Sequence, residues 1–255
     1  MDYSTKYKNE MITVFKSIFK FASVYHGLIR NPTLVIKKLP NTPEENMKRK
    51  KKEEEIWNDI EFGKFYNCLP NIKYKLLFAL LYFTGMRKGE CLALTWNDIK
   101  DHYLSINSSI SRKASENSYE IKDPKNTSSI RDVYITNSLF EKLFEYKQEE
   151  SKIPGFSLDW FIFGRTKPIA ENSLTRVKDK AINEAGVKRI TIHALRHSHA
   201  SYLIGSHLDL KAVSQRLGHS SVQTTLNTYT HVLDKNNKEI IDFLEHSSQI
   251  VLTDQ

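Results

Sequence analysis

The longest apolar run in the chain, Leu76 to Phe83, constrains its fold most. It lies in a stretch from Ile72 to Phe83 that reads as a helix, closed by Thr84-Gly85 because glycine accepts the left-handed cap conformation. The run is too short to cross a bilayer, which takes about 20 apolar residues, so the expected protein is soluble and has no membrane contact. A length of 255 residues suits one large domain or two modest ones, with enough chain to bury a core. Only 9 glycines and 7 prolines disfavour a loop-rich or many-turned all-β fold. Lys and Arg total 38 against 30 Asp and Glu, a formal charge of +8 that points to a polyanionic partner, nucleic acid first. The two cysteines, Cys68 and Cys91, lack metal spacing and cannot organise a disulfide scaffold, so a reducing cytoplasm fits best. The polar start MDYSTKYKNE carries no apolar signal core.

Helical spacing dominates along the chain. Ile12, Phe15, Ile18, Phe19 and Ala22 predict a helix over 6–30 that Asn31-Pro32 stops. Residues 46–55 read as a charged linker, and 1–45 as the remnant of an N-terminal helical module. Within that linker, Lys48, Arg49, Lys50, Lys51 and Lys52 are candidates to lie against DNA phosphates. From residue 56 a main domain follows, with helices over 57–68, 72–83 and on through Leu94. The stretch 99–136 changes to β formers, including Tyr103 to Ile106 and Val133 to Ile135, and predicts a small antiparallel sheet of three strands. Helices resume at 138–150 and 172–185, then from Thr191, Asp209 and Ser221, with a last one over 235–246. The expected class is α+β, mainly helical.

Four segments carry candidate chemistry. In Thr84 to Trp96, Arg87 follows a glycine break and Glu90 shares its helix face, where a carboxylate can orient a guanidinium. In Thr191 to His199, His193 and Arg196 project together near a helix N-terminus, a pairing that suits a phosphate. His193 and His197 are also spaced for a metal, but no acidic residue lies between them and no cysteine is near, so no metal is expected. In Leu217 to His231, Gly218 ends a helix, His219 sits in the turn, and Tyr229 comes near the end of the next helix. In Asp123 to Val133, Lys125 occupies a turn before a strand bearing Arg131, itself a candidate DNA contact.

Singly these are weak; their order and spacing together resemble the tyrosine recombinase, or phage integrase, family, over about residues 56 to 234. The resemblance implies that family's catalytic fold from 56 to 255, and the end of its core-binding domain before it. Matched residue by residue, it implies phosphate-clamping roles for Arg87 and Arg196, a β-hairpin lysine at Lys125, and active-site histidines at His193 and His219. Tyr229 would be the nucleophile, Glu90 would support Arg87, and His197 would match a motif histidine that is usually structural. The implied activity is site-specific cutting and rejoining of double-stranded DNA through a covalent 3′-phosphotyrosine, integrating or excising a mobile element. It needs no metal, nucleotide or other cofactor. The resemblance further implies a homo-tetramer on DNA, a monomer or weak oligomer without it, accessory DNA-bending or directionality proteins, and a bacterial cytoplasm with the nucleoid as the place of action.

The physical sense of this set is charge. Attack on a phosphodiester builds negative charge that two permanently cationic, planar guanidiniums can meet. Two other readings stand beside it. A non-catalytic regulator could use Asp209 to Leu217, the Gly218 turn and Ser221 to Thr230 as a helix-turn-helix. It leaves Arg87, Lys125, His193 and Arg196 without a purpose. A metal-dependent nuclease is permitted by the histidines and opposed by the lack of an acidic cluster.

Overall fold

The computed structural model describes residues 3–45, 47, 56–112, 119–122 and 130–235, in two compact units divided between Glu54 and Glu55. The first unit holds one long helix, α1 (Thr5–Tyr25), capped by the Ser4 side chain, which accepts from the Tyr7 N–H. The expected run to residue 30 stops early, because His26-Gly27 turns the chain with Gly27 at φ 66°. Pro32 opens a separate 3-10 turn, Pro32–Val35, capped by Asn31. The following strap returns along α1: Asn9 exchanges two hydrogen bonds with the Leu39 backbone, and the Thr5 N–H donates to Glu45.

The second unit begins with Trp57. Its ring is buried, its backbone N–H donates to Ser198 Oγ and its Nε1 to the Lys188 carbonyl. Helix α2 (Asp59–Asn67) starts two residues later than its periodicity suggests, because Asn58 and Glu61 form a capping box there. Helix α3 (Ile72–Thr84) buries every residue from Leu76 to Tyr82. A helix apolar on all faces is an interior helix, and α3 packs against α5 (Asn137–Ser151) and α7 (Ile192–Gly205). The short α4 (Lys88–Ala93) follows Gly85, and α6 (Glu171–Ala185) lies on α2. The core around α3 takes in Phe65, Trp96, Leu104, Leu143, Phe163 and Leu195.

The β region differs from the expected three-stranded sheet. Its four described strands pair as two antiparallel ribbons: β1 (Tyr103–Ile106) with β4 (Arg131–Tyr134), and β2 (Ser109–Arg112) with β3 (Tyr119–Lys122). Leu104 and Ile106 alternate inward along β1, and Val133 faces Leu104. The second ribbon buries Ile110 and otherwise offers little apolar face for a third strand to cover.

Helices α8 (Leu210–Leu217) and α9 (Val222–Lys235) pack on each other and on α7 around a smaller cluster, Ala200, Ile204, Val213, Leu217 and Tyr229. The helix expected over 235–246 lies beyond residue 235, outside the described residues. No helix among the described residues is long and apolar enough to cross a membrane.

Candidate active site

Two glycine turns form the frame. Gly85 caps α3 in the left-handed conformation at φ 65°, and Gly218 caps α8 at φ 69°. A Cβ on Gly85 would stand 2.6 Å from the His199 ring, and one on Gly218 would stand 2.7 Å from Arg131 Nη1. Side chains therefore close directly over both turns, and any larger residue would push them apart.

Arg87 follows the first turn and is the N-cap of α4. Its backbone N–H donates to Glu90 Oε2 at 2.8 Å, its Nη1 to Glu90 Oε1 at 2.7 Å, and its Nη2 reaches across to the Gly218 carbonyl at 3.3 Å. Glu90, with its side chain 5% exposed, is gripped from the other side by Arg131, whose Nη2 lies 2.9 Å from Oε2. Burial alone would raise the Glu90 pKa, but hydrogen bonds and charge from Arg131, then Arg87, outweigh it and hold the carboxyl below its usual range. Arg131 is itself fixed by Nε donating to the Arg216 carbonyl at 2.8 Å.

This placement corrects the reading of Arg131 as a DNA contact. Its side chain is 8% exposed and turned inward under the site, because the buried carboxylate requires a second cation. Arg216 was not singled out in the sequence at all. Its guanidinium ties α8 to the end of α3 through the Phe83 carbonyl, and to His199 on α7. Burial first, then Arg216, pushes the His199 pKa down to about 3, so that imidazole is neutral and serves as an acceptor.

Helix α7 supplies the second arginine. Thr191 caps its start by accepting from the Ala194 N–H. Arg196 is 3% exposed, and its Nη1 donates to the Gly85 carbonyl at 2.8 Å. Its Nη2 is buried without a hydrogen-bond partner among the described residues. Leaving such a donor unbonded costs about 1–3 kcal/mol, more for a charged group, and an anionic oxygen bound there would recover it. Burial, then repulsion by Arg87, lowers the Arg196 pKa to about 10, which still leaves it charged at neutral pH. His193 is exposed at the start of α7, and its pKa is lowered first by partial desolvation of the ring and then by Arg196 and Arg87.

The third contribution comes from the α8–α9 turn and α9. His219 Nδ1 lies 2.7 Å from Thr225 Oγ1, and burial followed by Arg196, Arg87 and Arg131 pushes its pKa down to about 4. Tyr229 interrupts α9 with non-helical φ −116° and ψ 19°. It is 2% exposed, and its hydroxyl lies 3.0 Å from His197 Nδ1. Burial raises its pKa to about 12 against the opposing pull of Arg196. The His197 ring also meets His193 edge to face at 4.9 Å.

The structure thus brings Arg87, Glu90, His193, Arg196, His219 and Tyr229 into one electrostatically coupled cluster. Beside it a cleft of about 510 Å³ opens between Lys88, Ser109, Lys178 and His193. Lys125 and the cluster Lys48, Arg49, Lys50, Lys51 and Lys52 lie outside the described residues. The cluster can hold a tetra-oxygen anion between fixed cationic donors and present a phenol beside it.

Comparison with known proteins places the chain in a family. The model of the phage integrase family matches residues 58–236. The ICEBs1 integrase of Bacillus subtilis is 30% identical over 250 residues, covering 95% of this chain and 66% of that relative. Transposase A from transposon Tn554 of Staphylococcus aureus is 32% identical over 205 residues, covering 77% of this chain and 54% of the relative. The chain therefore spans less than two thirds of either relative's length. Among solved structures, the Tn1549 transposon integrase in complex with transposon right end DNA superposes with a TM-score of 0.65 at 19% identity, over 95% of this chain and 80% of that one. The XerA recombinase gives a TM-score of 0.58 at 19% identity, over 96% and 77%. These structural likenesses establish the fold.

Proposed function

The chain belongs to the phage integrase family, and on that premise we propose that it cleaves and rejoins double-stranded DNA at specific sites, integrating or excising a mobile element. Tyr229 attacks a backbone phosphate to give a 3′-phosphotyrosine and a free 5′-hydroxyl. A 5′-hydroxyl from a second duplex then reverses the step. The bond energy stays in the linkage, so rejoining needs no nucleotide.

In this reading Arg87 and Arg196 bind the non-bridging oxygens and meet the charge of the transition state. Glu90 and Arg131 hold Arg87 in place. His193 and His219, kept neutral by desolvation and their cationic neighbours, donate hydrogen bonds to the same oxygens. Lys125 protonates the departing 5′ oxygen. The cluster Lys48 to Lys52 rests on flanking phosphates, and residues 1–45 act as the end of a core-binding module joined by 46–55 to a catalytic domain from 56 onward. Recombination joins two duplexes, so four copies work together on DNA, with a monomer or weak oligomer off it. Accessory DNA-bending or directionality proteins set direction, and the reaction occurs on nucleoid DNA in the cytoplasm. The relatives named for integration and transposition, and the Tn1549 integrase held on transposon DNA, support the choice of substrate.

The observation that carries the reading is the meeting of Arg87 and Arg196 at the two glycine turns, with Tyr229 in electrostatic reach of Arg196. The test uses element-end DNA nicked just beyond the scissile phosphate, in EDTA. The wild-type chain is expected to form a covalent adduct, and Tyr229→Phe to bind without forming one. Binding with no adduct from the wild-type chain would fit a regulator instead. Cleavage that EDTA abolishes, with no covalent bond, would fit a nuclease.

A further inference from the structure

A phenol attacks as its oxyanion, so its proton must leave as the new bond forms. The group that takes it has to lie within hydrogen-bond reach, about 2.6–3.2 Å. The titratable groups of the cluster to which Tyr229 belongs come from three elements, and of these Arg196 and His197 interact with Tyr229 directly. His193, Arg196 and His197 stand on α7, His219 in the α8–α9 turn, and Arg87 before α4. The family resemblance assigned the active-site imidazoles to His193 and His219 and left His197 a structural part. The geometry divides them otherwise. His219 has its Nδ1 at Thr225 Oγ1, while His193 touches His197 through an edge-to-face ring contact. His197 has Nδ1 3.0 Å from the Tyr229 hydroxyl.

Resting on the function proposed above, we infer that His197 is a catalytic residue: its Nδ1, in the Nε2–H tautomer, accepts the hydrogen bond of the Tyr229 hydroxyl and takes its proton as the phenol attacks. The Tyr229 O–H bond breaks and the proton passes to Nδ1. The phenolic oxygen bonds to phosphorus, the bond from phosphorus to the 5′ oxygen breaks, and Lys125 protonates that oxygen. In rejoining, the His197 imidazolium returns the proton to the departing phenoxide. Burial has raised the pKa of this phenol to about 12, so unaided ionisation is scarce at neutral pH and a base at its oxygen has work to do. The hydrogen bond also fixes the rotation of the phenol. The kink at Tyr229 takes its backbone off the helical path, and helical packing alone does not set its aim.

The experiment measures single-turnover adduct formation by the full chain on the nicked DNA. His197→Phe keeps an aromatic ring in the contact, and His197→Asn keeps a hydrogen-bonding group that cannot take the proton. Both are expected to slow the adduct by about 10²–10⁴-fold, the usual worth of a general base, with DNA binding retained. Replacing Tyr229 by a ring-fluorinated tyrosine separates a proton acceptor from a packing residue. The more acidic phenol depends less on a base, so the deficit of the His197 variants should shrink. Wild-type rates in both variants would overturn the inference, and so would an equal deficit with either phenol. In both cases the wild-type adduct at Tyr229 would still uphold the recombinase reading. A wild-type chain that binds and forms no adduct would sink both.

Discussion

The two arginines and the tyrosine sit on very different foundations. Arg196 bonds the carbonyl of Gly85, the cap of the interior helix α3, Arg87 follows that same turn and reaches the Gly218 carbonyl, and Glu90 is bonded to Arg87 and Arg131 at once. Tyr229 belongs to the small cluster formed with Ala200, Ile204, Val213 and Leu217, on a helix that breaks its own geometry at that residue. The cationic donors are therefore preorganised, which is how electrostatic catalysis avoids reorganising at the moment of reaction. Tyr229 rides on the smaller of the two buried apolar clusters, where opening costs less than it does around α3. Charge is built in, while delivery of the phenol is left adjustable.

The comparison can be broken most forcefully at Arg131. Arg131→Ala strips a buried carboxylate of one cation and is expected to destabilise the second unit by about 3–5 kcal/mol, read by urea unfolding. Arg196→Ala attacks the donor set directly. It should slow adduct formation by about 10²–10³-fold, equivalent to about 3–4 kcal/mol of barrier, while Tyr229→Phe abolishes the adduct outright. Gly85→Ala forces a Cβ into the His199 ring from a left-handed backbone and should cost about 1–3 kcal/mol by thermal melting. By contrast, Gly27→Ala has φ 66° but open space within 4 Å, so it should cost only the backbone penalty, about 1–2 kcal/mol.

Acid sharpens the same contrast by a smaller amount. The Glu90 pKa is depressed in the folded state, so its stabilisation is fully present above the ordinary value of 4.5 and is lost as pH falls toward the folded value. Stability measured by melting should therefore drop below that range, and Glu90→Gln should flatten the drop. Amide exchange should separate the two foundations as well, with protons of α3 protected longer than those of α9.

Much of this was legible in local pattern. The interior helix and the glycine caps are short-range features that period and turn chemistry reveal, whereas Arg87, Glu90, His193, Arg196, His219 and Tyr229 stand out as a set only through the family resemblance of their order and spacing. What stayed hidden depends on contacts distant in the chain. Arg131 reads as exposed because strand alternation does not tell which carboxylate lies beneath. β4 pairs with β1 only after the β2–β3 ribbon has intervened, a long-range pairing that local β propensity does not show, so the expected single three-stranded sheet is instead two ribbons. His197 looks like packing until the fold carries Tyr229 to it across 32 residues. The early end of α1 is the exception. His26-Gly27 was available as a local stop and was outweighed by the more conspicuous proline.

The most direct measurement identifies the atom that bonds to DNA. A covalent complex trapped on nicked element-end DNA is digested with protease and nuclease, and the linked peptide is sequenced by mass spectrometry. The account predicts a nucleotide joined through its 3′ phosphate to Tyr229 and to no other residue. Attachment at another side chain, or through a 5′ phosphate, would contradict it.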